Sequence, residues 1–325
     1  MVKKVGTLII TVMISLIMVF IVIQNMPGNP VDILAQSYIR SMAIDYDTAY
    51  ARAKSELNYD PQKPIIERFT EYASGIFRGD LGESMIYRKP VTEVVLGALP
   101  WTLLVCSISL LLSFIVGVLI GIYIAWKRKK TLNAFLTIYQ SIFGAMPDYI
   151  VGYILIFIFS IKSGLLPSRG AYSSNVVPGF NLAFILNVLQ HAILPVLAYF
   201  ITTVAGWALA MKASCITVLG EDYMTYARAR GLSDRRILTS YLGRNAILPM
   251  VTGLAISFGF MFGGSPLIEN LFLYPGVGYY LSSATSQRDF TLMQGMFLII
   301  IIMVVISSLI AEALYTVLNP RLRER

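Results

Sequence analysis

Residues 212–249 read KASCITVLGEDYMTYARARGLSDRRILTSYLGRNAILP, from Lys212 to Pro249. The stretch carries Lys212, Arg228, Arg230, Arg235, Arg236 and Arg244 against Glu221, Asp222 and Asp234, and it is set between two apolar runs, Ala192 to Met211 and Ile247 to Ile268. A bilayer core about 30 Å thick takes a helix of roughly 20 apolar residues, and each flank supplies one. The basic stretch is therefore a polar connection between two membrane spans, and the fold class follows: an all-α integral membrane protein.

Four more runs have the required length and character, Gly6 to Met26, Trp101 to Trp126, Ala134 to Ile161 and Thr291 to Val317, which makes a six-span helical bundle. Hydrophobic residues are 56% of the chain and charged residues 14%, outside the mix of a soluble domain. The net charge of +8 invites a nucleic-acid partner, but its placement argues otherwise. Lys3, Lys4, Lys127 to Lys130, the six cations of the 212–249 stretch, Arg321, Arg323 and Arg325 all fall on one side, while the short loops opposite hold Lys162, Arg169 and Arg288. Such a bias orients spans with the basic side inward, so both termini are expected in the cytoplasm and no nucleic acid is called for. The run after Met1-Val-Lys-Lys is longer than a signal core and lacks a small-x-small cleavage site, and reads as a retained first span. Cys106 and Cys215 fall in different compartments, so no disulfide is expected.

Between the first two spans, residues 27–100 form a polar, nearly charge-balanced extracytoplasmic segment. Within it Ile65, Ile66, Phe69, Tyr72, Ala73, Ile76 and Phe77 recur at helical spacing, predicting an amphipathic helix on the bundle or the membrane surface. The triplet Arg78-Gly79-Asp80 reads as a glycine turn rather than a recognition motif. Pro147 and Asp148 fall near the middle of the third run. An ionisable group at that depth belongs to a polar pathway, or is satisfied by a neighbouring span or a proline-bent helix end. His191, the lone histidine, opens span four and suits interfacial packing or capping; it cannot build a multi-histidine metal site. Glycines from Gly253 to Gly264 favour close helix approach in span five. The connection from Glu269 to Tyr280, rich in aromatics and turn formers, is either a lid or re-entrant segment or an ordinary loop. Asp148, Pro147 and Glu269 are the candidates for a translocation pathway or its gate. Glu312, near the arginine-rich tail, suits a local ion pair, and Asn319-Pro320 stops the last helix.

No phosphate-binding Gly-x-x-x-x-Gly-Lys-Ser/Thr, His-Glu-x-x-His, Cys-x-x-Cys or Gly-x-Ser-x-Gly occurs. Only Asp148 and Glu312 place carboxylates within the spans, too few for an evident proton relay. An enzyme or a proton-driven carrier is disfavoured, no metal is expected, and uphill movement of a solute would draw its energy from a partner.

The segment Tyr226-Ala-Arg-Ala-Arg-Gly-Leu-Ser-Asp-Arg-Arg236, continued by Arg244-Asn-Ala-Ile-Leu-Pro249, resembles the EAA loop of permease subunits in bacterial ATP-binding-cassette importers, and more closely the branch taking up peptides and nickel. It departs from the general pattern: Thr225-Tyr226-Ala227 stands for Glu-Ala-Ala, and Tyr241, Gly243 and Arg244 stand where Ile, Leu and Pro would. The peptide branch's own version fits better. Pro27-Gly-Asn-Pro30, Arg78-Gly-Asp-Leu-Gly82, Leu99-Pro-Trp-Thr102, Gly164-Leu-Leu-Pro-Ser168, His191-Ala-Ile-Leu-Pro195, Tyr274-Pro-Gly-Val-Gly278 and Asn319-Pro-Arg-Leu-Arg323 extend the resemblance over nearly the whole chain. The long first outer segment and the chain ending are similar to the B-type subunit.

The resemblance implies a type I importer permease fold in the bacterial cytoplasmic membrane, divided as residues 1–26, 27–100 and a permease core 101–325. It implies a C-type permease partner forming a heterodimer, two cytoplasmic ATP-binding subunits that hold ATP and Mg, and an extracytoplasmic solute-binding protein. This chain itself would bind no cofactor. A short helix around Glu221 to Arg230, turned at Gly231, would seat in an ATPase groove. Glu221, Asp222, Tyr226, Ala227, Arg228, Ala229, Arg230, Gly231, Leu232, Arg235 and Arg236 are its candidate coupling residues, with Ala227 and Ala229 keeping the surface low. The arginines serve otherwise as topology signals or contacts to anionic lipid. Short peptides are the expected cargo; nickel chelates or oligosaccharides are the alternatives within transport, and a membrane scaffold or sensor the alternative outside it.

Overall fold

The structure, a computed structural model, describes residues 2–57 and 63–318, with the side chains of residues 6–8, 10–57 and 63–310. Expectations for the side chains of Lys3, Lys4 and Glu312 and for Asn319, Pro320, Arg321, Arg323 and Arg325 lie outside the described residues. Fifteen α-helices, several joined by π or 3-10 turns, make up the fold among those residues. Four are single helices long and apolar enough to cross a membrane: α1 (Val2–Gln24), α5 (Val91–Lys127), α8 (Leu182–Leu219) and α15 (Phe290–Leu318). Two bent pairs raise the total to as many as six. One pair is α6 (Lys130–Phe143) with α7 (Asp148–Leu155), which runs on as a π turn through Lys162. The other joins α10 (Asp234–Arg236) and α11 (Arg244–Ala246) to α12 (Leu248–Phe260). The all-α, multi-span bundle with a large extracytoplasmic segment after the first span stands.

The span limits need correction. The third run is not one helix with Asp148 at its middle: it bends by 92° between α6 and α7. Pro147 has no N–H and disfavours the α conformation of its predecessor, so the helix stops after Phe143 and restarts at Asp148. Span five does not reach Ile268 either. It ends in a 3-10 turn at Gly263, because Gly264 adopts φ +63 and ψ −167, a region open essentially to glycine alone. Span two starts ten residues before Trp101; Pro100 is absorbed inside α5, whose 37 residues extend about 55 Å, well beyond the bilayer core.

α5 and α8 are the central pair. A Cβ at Gly117 would sit 2.7 Å from Val204 O, and one at Gly121 2.5 Å from Ala208 O, so glycine one turn apart lets the backbones touch. The Thr203 hydroxyl donates to Ser113 Oγ at 2.8 Å across the same seam.

Outside the membrane, α2 (Pro30–Met42) and α3 (Tyr46–Leu57) pair over fully buried Val31, Ala35, Ala49 and Ala53. Asn29 caps α2 by accepting the Val31 N–H, with Pro30 as its first residue. The amphipathic helix is present as α4 (Ile65–Arg78), and it lies on the bundle: Phe69 and Tyr72 pack against Phe20 of α1. Gly79 ends α4 with φ +75, the expected glycine turn. The start of α15 is tied to this segment by Asp289. Its wholly buried carboxylate accepts the Ser84 hydroxyl at 2.6 Å and the Ile86 and Leu292 N–H groups at 3.1 and 3.0 Å.

Candidate functional site

The 212–249 stretch does not hang free. Its first eight residues complete α8; after Gly220 comes α9 (Asp222–Ala229), an eight-residue helix, then a turn at Gly231 with φ +69, then α10. Apolar residues three apart, Met224 and Ala227, set one face of α9 against a core built from Met211 and Cys215 of α8, Val118 and Ala125 of α5, and Ile237, Leu242 and Ala246 beyond the turn. The Ser214 hydroxyl donates to Ala246 O at 2.7 Å, pinning the returning chain to α8. The loop is thus joined rigidly to three spans.

The remaining surface carries the exposed residues Glu221, Asp222, Tyr226, Ala229 and Arg230, with Arg235 and Arg236 beyond the turn; Arg228, also exposed, lies at its edge, beside Asp234 and Arg128. Tyr226 is 71% exposed. Ala227, expected on this surface, is corrected: it is buried at the base of α9, so only Ala229 lowers the outer face. Leu232 is half-buried and packs on the same core as Ala227. A Cβ built at Gly231 meets nothing within 4 Å, so its requirement is conformational and its outer side is open.

Of the three pathway candidates, the structure separates two. Asp148 opens α7 and is half-buried; its carboxylate accepts the Tyr149 N–H at 2.8 Å. A helix start is electrostatically favourable for a negative charge. It lines a cleft of about 450 Å³ between α5, α7, α8 and α12, together with Cys106, Ser109, Tyr199, Thr203 and Ser265, and is the one ionisable carboxylate there among the described residues. Pro147 makes the break that brings Asp148 to this cleft, but does not itself line it.

Glu269 lies elsewhere. It sits on α13 (Pro266–Leu271), 3% exposed, and accepts the Thr102 hydroxyl at 2.9 Å and the Tyr279 N–H at 3.0 Å. Thr102 Oγ1 in turn accepts the Val277 N–H at 2.8 Å, at the start of α14 (Val277–Gln287). This network ties α5, α13 and α14 together, and the connection after Glu269 is a buried helical segment rather than an ordinary loop. Gly264 and Gly276 leave room for the carboxylate: a Cβ on either would come within 2.6 Å of it. His191 is also a fastener. Its ring nitrogens lie 2.8 Å from Asn187 O and 3.4 Å from Ser173 Oγ, holding the outer loop to α8. Tyr199, Thr203 and Ser265 escaped sequence reading, because a hydroxyl on an apolar helix carries no sign of the cleft it faces.

A family model described as "Binding-protein-dependent transport system inner membrane component" matches residues 117–324, well over half the chain, including α9 and the part of the cleft formed by α7, α8 and α12. The chain belongs to this permease family. It is similar over nearly its full length to individual members. The glutathione transport system permease protein GsiC of Escherichia coli (strain K12) is 31% identical over 323 residues, covering 99% of this chain and 98% of the relative. The probable peptide ABC transporter permease protein y4tP of Sinorhizobium fredii (strain NBRC 101917 / NGR234) is 30% identical, covering 99% and 97%. Permease subunits of this family are non-catalytic membrane components, and membership implies partner subunits.

Proposed function

We propose that this permease is the B-type subunit of an ATP-driven importer of short peptides, in the bacterial cytoplasmic membrane with both termini inside. A C-type permease completes the pathway, two ATP-binding subunits dock from the cytoplasm, and a solute-binding protein delivers cargo outside. The observation that carries the reading is the two-sided character of α9: one face is welded to α5, α8 and the start of span five, and the other is exposed and polar. A short helix built so converts displacement of whatever grips it into movement of three spans. Glu221, Asp222, Tyr226, Arg228, Ala229 and Arg230 form the gripped face, with Arg235 and Arg236 beside it. Gly231 shapes the exit from the helix, and Leu232 seals its base.

Asp148 belongs to the translocation pathway on this reading, since it is the carboxylate lining the interhelical cleft. Glu269 acts on the pathway indirectly, by holding α13 and α14 in place. Relatives named for glutathione and for peptides support a short-peptide cargo. The test is to purify the tagged chain from its native membrane and reconstitute what accompanies it. Two ATPase subunits and a second permease are expected, with ATP-dependent uptake of labelled di- to pentapeptides stimulated by the loaded binding protein. Isolation without ATPase subunits would support the scaffold reading instead, and uptake of nickel chelates or oligosaccharides in place of peptides would correct the cargo.

A further inference from the structure

Just before the chain leaves α8 for α9, the tight junction of α5 with α6 and the last turns of α8 frame an open cavity of about 480 Å³. Arg128, Lys129, Lys130 and Lys212 line it, and among the described residues no acidic side chain does. Arg128 takes the left-handed conformation, φ 49, turning the chain from one helix into the next within two residues and gathering three consecutive cations at the rim. Lys212 comes from deeper. Its backbone lies level with Gly121, so it starts roughly 9 Å inward of Lys127 along α5, and its ammonium donates to Asn133 Oδ1 on α6. The α6 N-terminus at Lys130 has no side-chain cap, leaving amide donors beside the same space.

The Lys129 ammonium lies over the Tyr123 ring, and the three other cations of the cavity repel one another, a repulsion that an anion among them relieves. The rear wall shows which kind of anion. Ile124 and Ala125 of α5, both buried, back it, while Ile216 and Leu219 of α8 give its open apolar surface, Ile216 more than half exposed, and both helices span the bilayer. A soluble anion would leave that apolar surface wet, whereas a phospholipid covers it with its glycerol and acyl chains while presenting phosphate to the rim.

We infer that this cavity binds one anionic phospholipid, its phosphate held by Arg128, Lys130 and Lys212 and its acyl chains lying on Ile216 and Leu219. The lipid bridges α5, α6 and α8 immediately before Gly220, where the chain leaves α8 for α9. The site depends on the helices spanning a bilayer, not on the role of α9 or on the cargo.

The full-length chain, purified in detergent, is incubated with dioctanoyl phosphatidylglycerol or dioctanoyl phosphatidylcholine, and retained lipid is read by native mass spectrometry. One phosphatidylglycerol per chain is expected, held about tenfold or more tighter than phosphatidylcholine, as two or three cations near an anionic headgroup provide. Arg128→Gln with Lys130→Gln should abolish that preference. Arg128→Lys with Lys130→Arg should keep it, as should Lys162→Gln with Arg169→Gln, which removes the same charge from the opposite end of the bundle. Equal retention of the two lipids by the unaltered chain overturns the inference whether or not any variant folds. So does undiminished preference in the glutamine pair, equal loss in the opposite-end control, or displacement of the lipid by millimolar inorganic phosphate, which would mark a site for soluble anions.

Discussion

Gly231 has a left-handed backbone and open space where a side chain would start. Gly231→Ala therefore costs only the conformational strain, about 1–2 kcal/mol, with no clash. Gly231→Trp carries the same strain but projects a large ring where an ATPase would seat. If α9 docks there, the alanine variant keeps most uptake while the tryptophan variant loses it at equal membrane abundance; matched uptake by both would remove Gly231 from the docking surface. The two carboxylates separate in the same manner. Glu269→Leu orphans the buried Thr102 hydroxyl and Tyr279 N–H, about 1–3 kcal/mol each, and should lower the amount of folded protein measured by thermal melting in detergent. Asp148→Asn, in an open cleft with one local hydrogen bond, should leave melting nearly unchanged and alter uptake.

At the scale of elements, α9 offers a paired comparison two residues apart. Ala227→Leu forces volume into a filled core and should destabilise by about 1–3 kcal/mol. Ala229→Leu changes an exposed position and should shift stability by no more than about 0.5 kcal/mol, yet impair ATP-driven uptake if that face is gripped. Normal uptake by Ala229→Leu would argue against docking on this face. The α5–α8 seam has its own test. At Gly121 the obstacle is the Ala208 carbonyl and the Met211 Cβ, neither of which can swing aside, so Gly121→Leu must separate the helices. Loss of folded protein in the membrane is expected, more severe than for Gly97→Leu, where a Cβ meets nothing within 4 Å.

Across the whole molecule, the presence of the spans and of the basic stretch was legible, though not the limits of spans two, three and five, because the bilayer imposes it: a helix crossing hydrocarbon needs some twenty apolar residues, and the chain writes that length openly. The amphipathic period of α4 was equally plain, since Phe69, Tyr72 and Ile76 recur at helical spacing. Legibility failed for α3, whose buried face is only Ala49 and Ala53 in an otherwise polar segment, too faint a stripe to see. It failed for Ala227 as well, because alanine suits both an exposed surface and a tight core. A cysteine at Ala229 should crosslink to a co-purified ATPase subunit while one at Ala227 should not; reaction at both would show that α9 leaves its seat in the assembled importer.

The sequence by itself determined that this chain crosses a membrane repeatedly, that its basic stretch lies at one end of the spans, and which family motifs it carries, since hydrophobic length, charge bias and local spacing are all written along the chain. The tertiary structure decided which residues of the 212–249 stretch face the core and which face outward, that Asp148 lines a cleft while Glu269 is locked in a hydrogen-bonded network, and that Lys212 meets the distant run Arg128 to Lys130 in one cavity. Those outcomes depend on which helices pack together, and Gly117 lying on Val204, or Lys212 reaching Asn133, is a long-range contact that no local pattern encodes.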